Sequence, residues 1–141
     1  MTHKRQAIRH AIAAQLQTAP VLVGRVVTTR ARPTTADELP VVIVYALTES
    51  SSKATIGGRL SRTLNVAIEL RAASVGALDD TLDALSLAVE QAMATDRTFG
   101  KLAMDSSLAN TAIGLDGEGE TKQAVATLTY TVLYSTDAAG H

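Results

Sequence analysis

The sequence predicts an α+β fold, with a mainly antiparallel five-stranded sheet and two helices packed on one of its faces. Two segments carry apolar residues at helical spacing, and five segments are rich in β-branched or alternating apolar residues. They follow one another in the order α-β-β-β-α-β-β. Strands that are consecutive in sequence usually pair as antiparallel hairpins. A chain of 141 residues suits one domain, so we predict a single domain over residues 1–141.

Both helices are predicted from the periodicity of their apolar residues. Over residues 2–17, Ile8, Ile12 and Leu16 recur every four positions and form one apolar stripe. Residues 75–95 repeat the pattern at spacings of three and four. The apolar positions of this second helix are Leu78, Leu82, Leu85, Val89 and Met93.

The strands are predicted from β-branched composition and period-two alternation. We expect them over residues 21–30, 41–47, 60–70, 109–115 and 124–134. The run VVIVY is apolar at every position, which is typical of a strand covered on both faces. Residues 60–70 alternate, so one face should meet the core and the other water or a partner. Arg62 is the polar exception on the apolar side.

Two segments are expected to be flexible. Residues 48–60 are rich in Ser and Gly without periodicity, which predicts a mobile loop. The last residues, 136–141, are expected to fray, as chain ends commonly do. DGEGETK, at residues 116–122, is predicted to be a turn between the last two strands.

Composition and charge disfavour several classes of partner and site. The formal net charge is −1, whereas nucleic-acid binders usually carry a basic excess. The absence of cysteine excludes disulfides and thiolate metal sites. No run approaches the about 18 apolar residues of a membrane span, so no membrane partner is expected.

No catalytic, metal-binding or cofactor-binding residue is predicted. His3, His10 and His141 have no carboxylate cluster near them in sequence, so we interpret them as solvated. The glycines at 57 and 58 lack the Lys-Ser/Thr that follows them in a phosphate-binding loop.

Three charged patterns each allow two interpretations. DGEGE at residues 116–120 resembles the start of a calcium loop, but Thr127 stands where the bidentate glutamate belongs, which favours a plain turn. Asp79, Asp80 and Asp83 could form an acidic metal cluster or complement the helix dipole. The basic side of the first helix is a solvated face or a binding patch. Its cations are Lys4, Arg5 and Arg9.

Four motifs resemble one known family. They are ELPVVIVY at 38–45, VAIEL at 66–70, LDDTLDAL at 78–85 and LTYTVLY at 128–134. Their order, over residues 5–134, resembles the tail terminator proteins of long-tailed bacteriophages, called minor tail protein U in lambda-like phages. The chain lacks the aromatic and acidic richness of some members, so interface residues are not transferred by type.

The resemblance implies a structural protein without catalysis or cofactors. Such proteins form a homo-hexameric ring that caps the tail tube, stops addition of the major tail tube protein and presents its other face to the head connector or stopper protein. DNA later passes transiently through the central hole. The expected location is the virion tail neck, after assembly in the host cytoplasm.

Two segments of opposite charge are the candidate subunit and tube interfaces, namely the loop at 50–62 and the turn at 116–122. Opposite signs would allow head-to-tail contact between subunits, which closes into rings. The candidate residues are Lys53, Arg59, Arg62, Glu118, Glu120 and Lys122.

Two alternative functions remain open at this point. The chain could be another neck subunit, such as a head–tail joining or tail completion protein, which its binding neighbour would distinguish. It could also be a small α/β enzyme or ligand-binding domain, which would need a concave pocket with convergent polar groups.

Overall fold

The structure, a computed structural model, describes residues 2–28, 39–73, 78–116 and 123–141. Within these residues it has two α-helices, one short 3-10 helix and five strands, in the predicted order. The helices are α1 (Lys4–Leu16) and α2 (Leu78–Thr95), and the 3-10 helix is Pro20–Leu22. The strands are β1 (Val26–Val27), β2 (Val41–Lys53), β3 (Leu60–Ala73), β4 (Asp105–Asp116) and β5 (Gln123–Thr136).

The five strands form one sheet in the order β1-β2-β3-β5-β4. β1 pairs with β2 in parallel, and all other neighbours are antiparallel. The predicted α+β class is therefore confirmed. Ile68 of β3 lies opposite Val44 and Leu128, so apolar residues form rows across the central strands. Such cross-strand rows are the unit that stabilises a sheet.

Both helices cover the same face of the sheet. The apolar stripe of α1 and that of α2 share one buried cluster with alternate residues of β2, β3 and β5. Ile12 and Val89 represent the two helices in this cluster, and Leu64, Ile68 and Val132 are among its strand residues. No helix of the described chain has the length and hydropathy of a membrane span.

The opposite face of the sheet is also buried at one end. Ile43 points away from the helices and is buried, which confirms that β2 is covered on both sides there. Glu69 and Arg71 lie on this same face and are only 3% and 5% exposed. The expectation that this side of β3 meets water or a partner is therefore wrong at its C-terminal half. The two charges neutralise each other by pairing, which permits their burial.

A β-bulge interrupts each of the two outer long strands at the same level of the sheet. One lies in β2 between Ala46 and Thr48, and the other in β4 between Leu108 and Asn110. Both bulges lie next to the cross-strand row in which Val66 of β3 pairs with Ala46 of β2 and Tyr130 of β5. Because a bulge adds one residue, it reverses which side chains point to which face beyond it.

The predicted first strand is much shorter than residues 21–30. Pro20 begins a 3-10 turn that buries Leu22 in the core, and Gly24 adopts a positive φ of 75°. Proline preorganises a helical first position, and a positive φ interrupts extended backbone. Within residues 21–28, the part of the predicted strand that the structure describes, only Val26–Val27 then pairs as a strand.

The predicted mobile loop and frayed tail are both ordered by hydrogen bonds in the structure. β2 continues to Lys53 and β3 begins at Leu60, so the turn between them covers only residues 54–59. The tail folds back on α1, where the Lys4 amide donates to the Gly140 carbonyl at 3.0 Å. The Asp137 carboxylate accepts amide hydrogen bonds from Ala139 and His141.

Candidate interaction surfaces

The tip of the β2–β3 hairpin, residues 53–59, presents one isolated apolar side chain. Ile56 is 98% exposed, and Lys53 and Arg59 flank it as exposed cations. The Ala54 amide donates to the Arg59 carbonyl at 2.9 Å, and the Arg59 amide donates to Thr55 Oγ1 at 3.3 Å. The turn thus holds Ile56 outward on a hydrogen-bonded support.

Arg62 belongs to a largely buried charge network and not to the exposed tip. Its Nη1 lies 2.9 Å from Glu49 Oε2, and both side chains are 11% exposed. Arg5 of α1 approaches the same oxygen at 2.5 Å, and the Tyr134 hydroxyl donates to Glu49 Oε1. Arg62 Nε also donates to Thr136 Oγ1. This network joins α1, β2, β3 and β5.

The network shifts the pKa values of its members. Burial disfavours ionisation of Glu49, but hydrogen bonds from Tyr134 and Arg62 and the charge of Arg5 outweigh it and lower its pKa. Burial, with the repulsion of Arg5 and Arg62, lowers the pKa of nearby His3. The neutral His3 ring caps α1, because its Nδ1 accepts the Arg5 amide at 2.9 Å. His3 is therefore a helix cap and not a simply solvated residue.

Acidification should destabilise the protein through this network. His3 and Glu49 both have a folded pKa below the ordinary values of 6.5 and 4.5. Neutral His3 and ionised Glu49 therefore contribute their full stability above the ordinary pKa values. This stability is lost as pH falls from the ordinary pKa of each group through its lowered pKa in the folded protein. We expect the free energy of unfolding, measured by urea titration, to fall first below pH 6.5 and again below pH 4.5.

Glu49→Gln should reduce the lower-pH part of this decline and leave the part due to His3. The remainder at low pH belongs to Asp96, Asp105 and Asp137, whose pKa values are also lowered by hydrogen bonds. Asp80→Asn, which alters an exposed carboxylate of α2, is the matched control and should keep the wild-type pH profile. An unchanged decline below pH 4.5 in Glu49→Gln would show that another group causes it.

A second charge network lies on the sheet face away from the helices. Arg71 Nε contacts Glu69 Oε2 at 2.6 Å, and its Nη1 contacts Asp116 Oδ2 at 2.9 Å. The Tyr45 hydroxyl donates to Glu69 Oε1 at 2.9 Å, and Gln123 Oε1 accepts from Arg71 Nη1. The network ties β2, β3, β4 and β5 together, so its role is structural.

Strand β4 exposes apolar side chains on the face that the helices cover elsewhere. Ile113 and Leu115 lie opposite the buried Ala126 and Ala124, yet they are 60% and 57% exposed. Leu108 lies opposite Tyr130 and is also exposed. α2 packs over β3 and β5 and leaves this row uncovered. Exposed apolar residues along an edge strand are a typical docking surface.

A groove of about 290 Å³ separates α2 from β4, and we call it the β4 groove. Its lining includes Glu90 and Ala94 of α2, Leu108 of β4 and Tyr130 beneath them. Burial, with the nearby Glu90 charge, raises the pKa of Tyr130 to about 12. The groove also includes Arg97, which is engaged by Asp105 at 2.7 and 2.8 Å.

A second groove, of about 260 Å³, lies between the 3-10 helix and the other flank of α2. It is lined by small or neutral side chains, such as Ala88 and Gln91, without an ionisable group. In the described parts of the chain, no group of three or more His, Cys, Asp or Glu residues is placed to hold a metal ion.

The structure separates the six residues predicted as interfaces. Lys53 and Arg59 lie together at the exposed tip, where Arg59 Nη2 also contacts Ser135 Oγ at 2.9 Å. Arg62 is engaged by Glu49, so it is not the free surface charge that we expected. The other three lie outside the described residues. They are Glu118, Glu120 and Lys122.

Sequence reasoning missed three features that the structure reveals, two on the surface and one in the interior network. Ile56 carried a usable signal, because an isolated apolar residue in a Ser- and Gly-rich turn has no core to enter. The uncovered face of β4 and the hub position of Glu49 carried no such signal, because each depends on tertiary packing and on the bulges.

Comparison with known proteins gives no assignment, since no family model matches the chain and no curated protein is significantly similar to it.

Proposed function

We propose that the protein is a tail terminator subunit of a long-tailed bacteriophage or a related particle. Copies form a homo-hexameric ring that caps the tail tube, blocks further addition of tube protein and offers the opposite face to the head connector. The proposal joins the motif resemblance over residues 5–134 to an observation on the hairpin tip.

That observation is the exposure of Ile56 at the end of a hydrogen-bonded hairpin. A fully exposed Ile between two cations has the composition of an interface anchor with a charged rim. Because the turn is already hydrogen-bonded, docking of this tip would cost less conformational entropy than docking of the mobile loop that the sequence predicts. We assign the tip to the tail tube end, where it would bind an apolar pocket with an acidic rim.

The test is a tube-capping assay with Ile56 variants. Ile56→Asp should weaken binding to purified tail tubes at least tenfold, about 1.4 kcal/mol, because a charge replaces the apolar anchor. Tubes polymerised in its presence should grow beyond the normal length. Sedimentation with tubes and negative-stain imaging measure both effects.

Two variants serve as controls. Ile56→Leu keeps the apolar anchor and should cap normally, while Ser52→Asp adds the same charge on an exposed position of β2 and should also cap. If Ile56→Asp caps as well as the wild type, the tip is not the tube contact. If the wild-type protein neither binds tubes nor limits their length, the proposed function itself fails.

A further inference from the structure

We infer that copies of this chain associate head to tail, with the β4 groove of one copy receiving the opposite sheet edge of the next. The inference rests on the proposed function, since it names the surfaces through which the ring would close. The two surfaces are unlike in charge, and both expose apolar residues.

The receiving surface combines an apolar row with acidic charge. Leu108 lines the groove, and Ile113 and Leu115 are exposed farther along β4, outside the groove lining. Arg97 also lines the groove, but its charge is paired with that of Asp105. Asp83 and Glu90 lie seven residues apart on α2, which places both on one flank of the helix. Glu90 lines the groove, so this flank faces β4. α2 contains four acidic residues and no basic one.

The opposite edge, which we call the β1 edge, combines exposed apolar residues with basic charge. Val23, Arg25 and Val27 alternate there as exposed residues, while Val26 packs on the core. Arg25 is the exposed cation of this edge. Gln17, the C-terminal cap of α1, accepts the Gly24 amide at 2.7 Å and so ties the edge to the helix. α1 contains basic residues and no acidic one.

Charge decides between a head-to-tail contact and a symmetric one. Two β4 grooves placed face to face would set Glu90 and Asp83 of each copy against the same acids of the other, which is unfavourable. The β1 edge of a second copy brings opposite charge and apolar side chains to the groove instead. The surfaces lie at opposite ends of the strand order β1-β2-β3-β5-β4. A heterologous contact between opposite edges repeats from copy to copy, as ring closure requires.

The test is charge exchange, measured by sedimentation equilibrium at about 0.1 M salt, where charges are not fully screened. The variants Arg25→Glu and Glu90→Lys should each weaken self-association at least about tenfold, because each sets like charges against one another. Combining both changes in one chain should restore association, since opposite charges then meet again.

A second variant removes the apolar contact without touching the core. Ile113→Asp/Leu115→Asp alters two exposed side chains, so its far-ultraviolet circular dichroism should match the wild type while its self-association is lost. Ile56→Asp should self-associate normally, because the hairpin tip is not part of either surface. These two variants thereby separate subunit contact from tube contact.

Three outcomes would overturn the inference. The first is a wild-type chain that remains monomeric at about 1 mM. The second is an assembly that stops at two chains, and the third is self-association that none of the charge-exchange variants changes. If the charge-exchange variants associate and cap tubes like the wild type, the proposed function stands and the subunit contact lies on other surfaces. A wild-type protein that assembles through these surfaces but does not cap tubes would overturn the proposed function and leave the subunit contact standing.

Discussion

Replacing Glu69 by alanine should lower the free energy of unfolding by about 3 kcal/mol, because it leaves the buried Arg71 charge without its main partner. The Arg71 guanidinium contacts Glu69 at 2.6 Å, and both side chains are almost fully buried. Asp116 also contacts Arg71, but its side chain is largely exposed and screens the charge less effectively. Urea unfolding followed by circular dichroism measures the loss.

The control removes both charges together. Glu69→Leu/Arg71→Met keeps similar volume and leaves no unpaired buried charge, so it should recover most of the stability lost in Glu69→Ala. If Glu69→Ala costs no more than about 0.5 kcal/mol, as a surface substitution does, the pair is not buried in solution as described.

Arg62→Glu should destabilise the fold by about 3 kcal/mol before it affects any assembly, because it sets a second carboxylate beside Glu49. The wild-type pair is 2.9 Å apart and only 11% exposed on each side. The Tyr134 hydroxyl and Arg5 also converge on Glu49. Thermal or urea unfolding of the isolated variant measures the effect.

Arg59→Glu is the matched comparison, since it makes the same change three residues away at an exposed position. It should alter stability by less than about 0.5 kcal/mol. Equal stability of the two variants would contradict the assignment of Arg62 to the interior network. From sequence alone, Arg59 and Arg62 are equivalent candidate docking charges. This pair of variants distinguishes the exposed arginine from the one in the interior network.

The helices and central strands could be predicted because their environment is local and periodic. Ile8, Ile12 and Leu16 all enter the core, as their spacing requires. The alternation in β3 likewise placed Leu64 and Ile68 in the core. These residues needed only a continuous apolar face and a neighbouring element to cover it.

The bulge in β2 was not predictable, and it hid the position of Glu49. Val42 and Val44 point toward the helices at even positions, so strict alternation would place Glu49 on the other face. The extra residue at the bulge returns Glu49 to the helix side, opposite Leu64. There it meets Arg62, which explains the polar residue on the apolar side of β3.

Glu69 and Arg71 illustrate a second limit. Their alternation with apolar residues indicated a solvent-facing side, since a buried ion pair carries no distinct local pattern. Burial at the end of β3 depends on tertiary packing, and the pairing of two residues on one strand face becomes visible only then. The uncovered row on β4 has the same origin, because α2 packs over β3 and β5 and stops short of the edge strand.

The most direct test of the assembly role is the mass of the purified protein, alone and bound to tail tubes, determined by light scattering and followed by negative-stain imaging. We expect six copies of the 14.7 kDa chain in a ring, either free or formed at tube ends. A chain that stays monomeric and ignores tubes, or a ring that binds only a head connector, would contradict the tail terminator proposal.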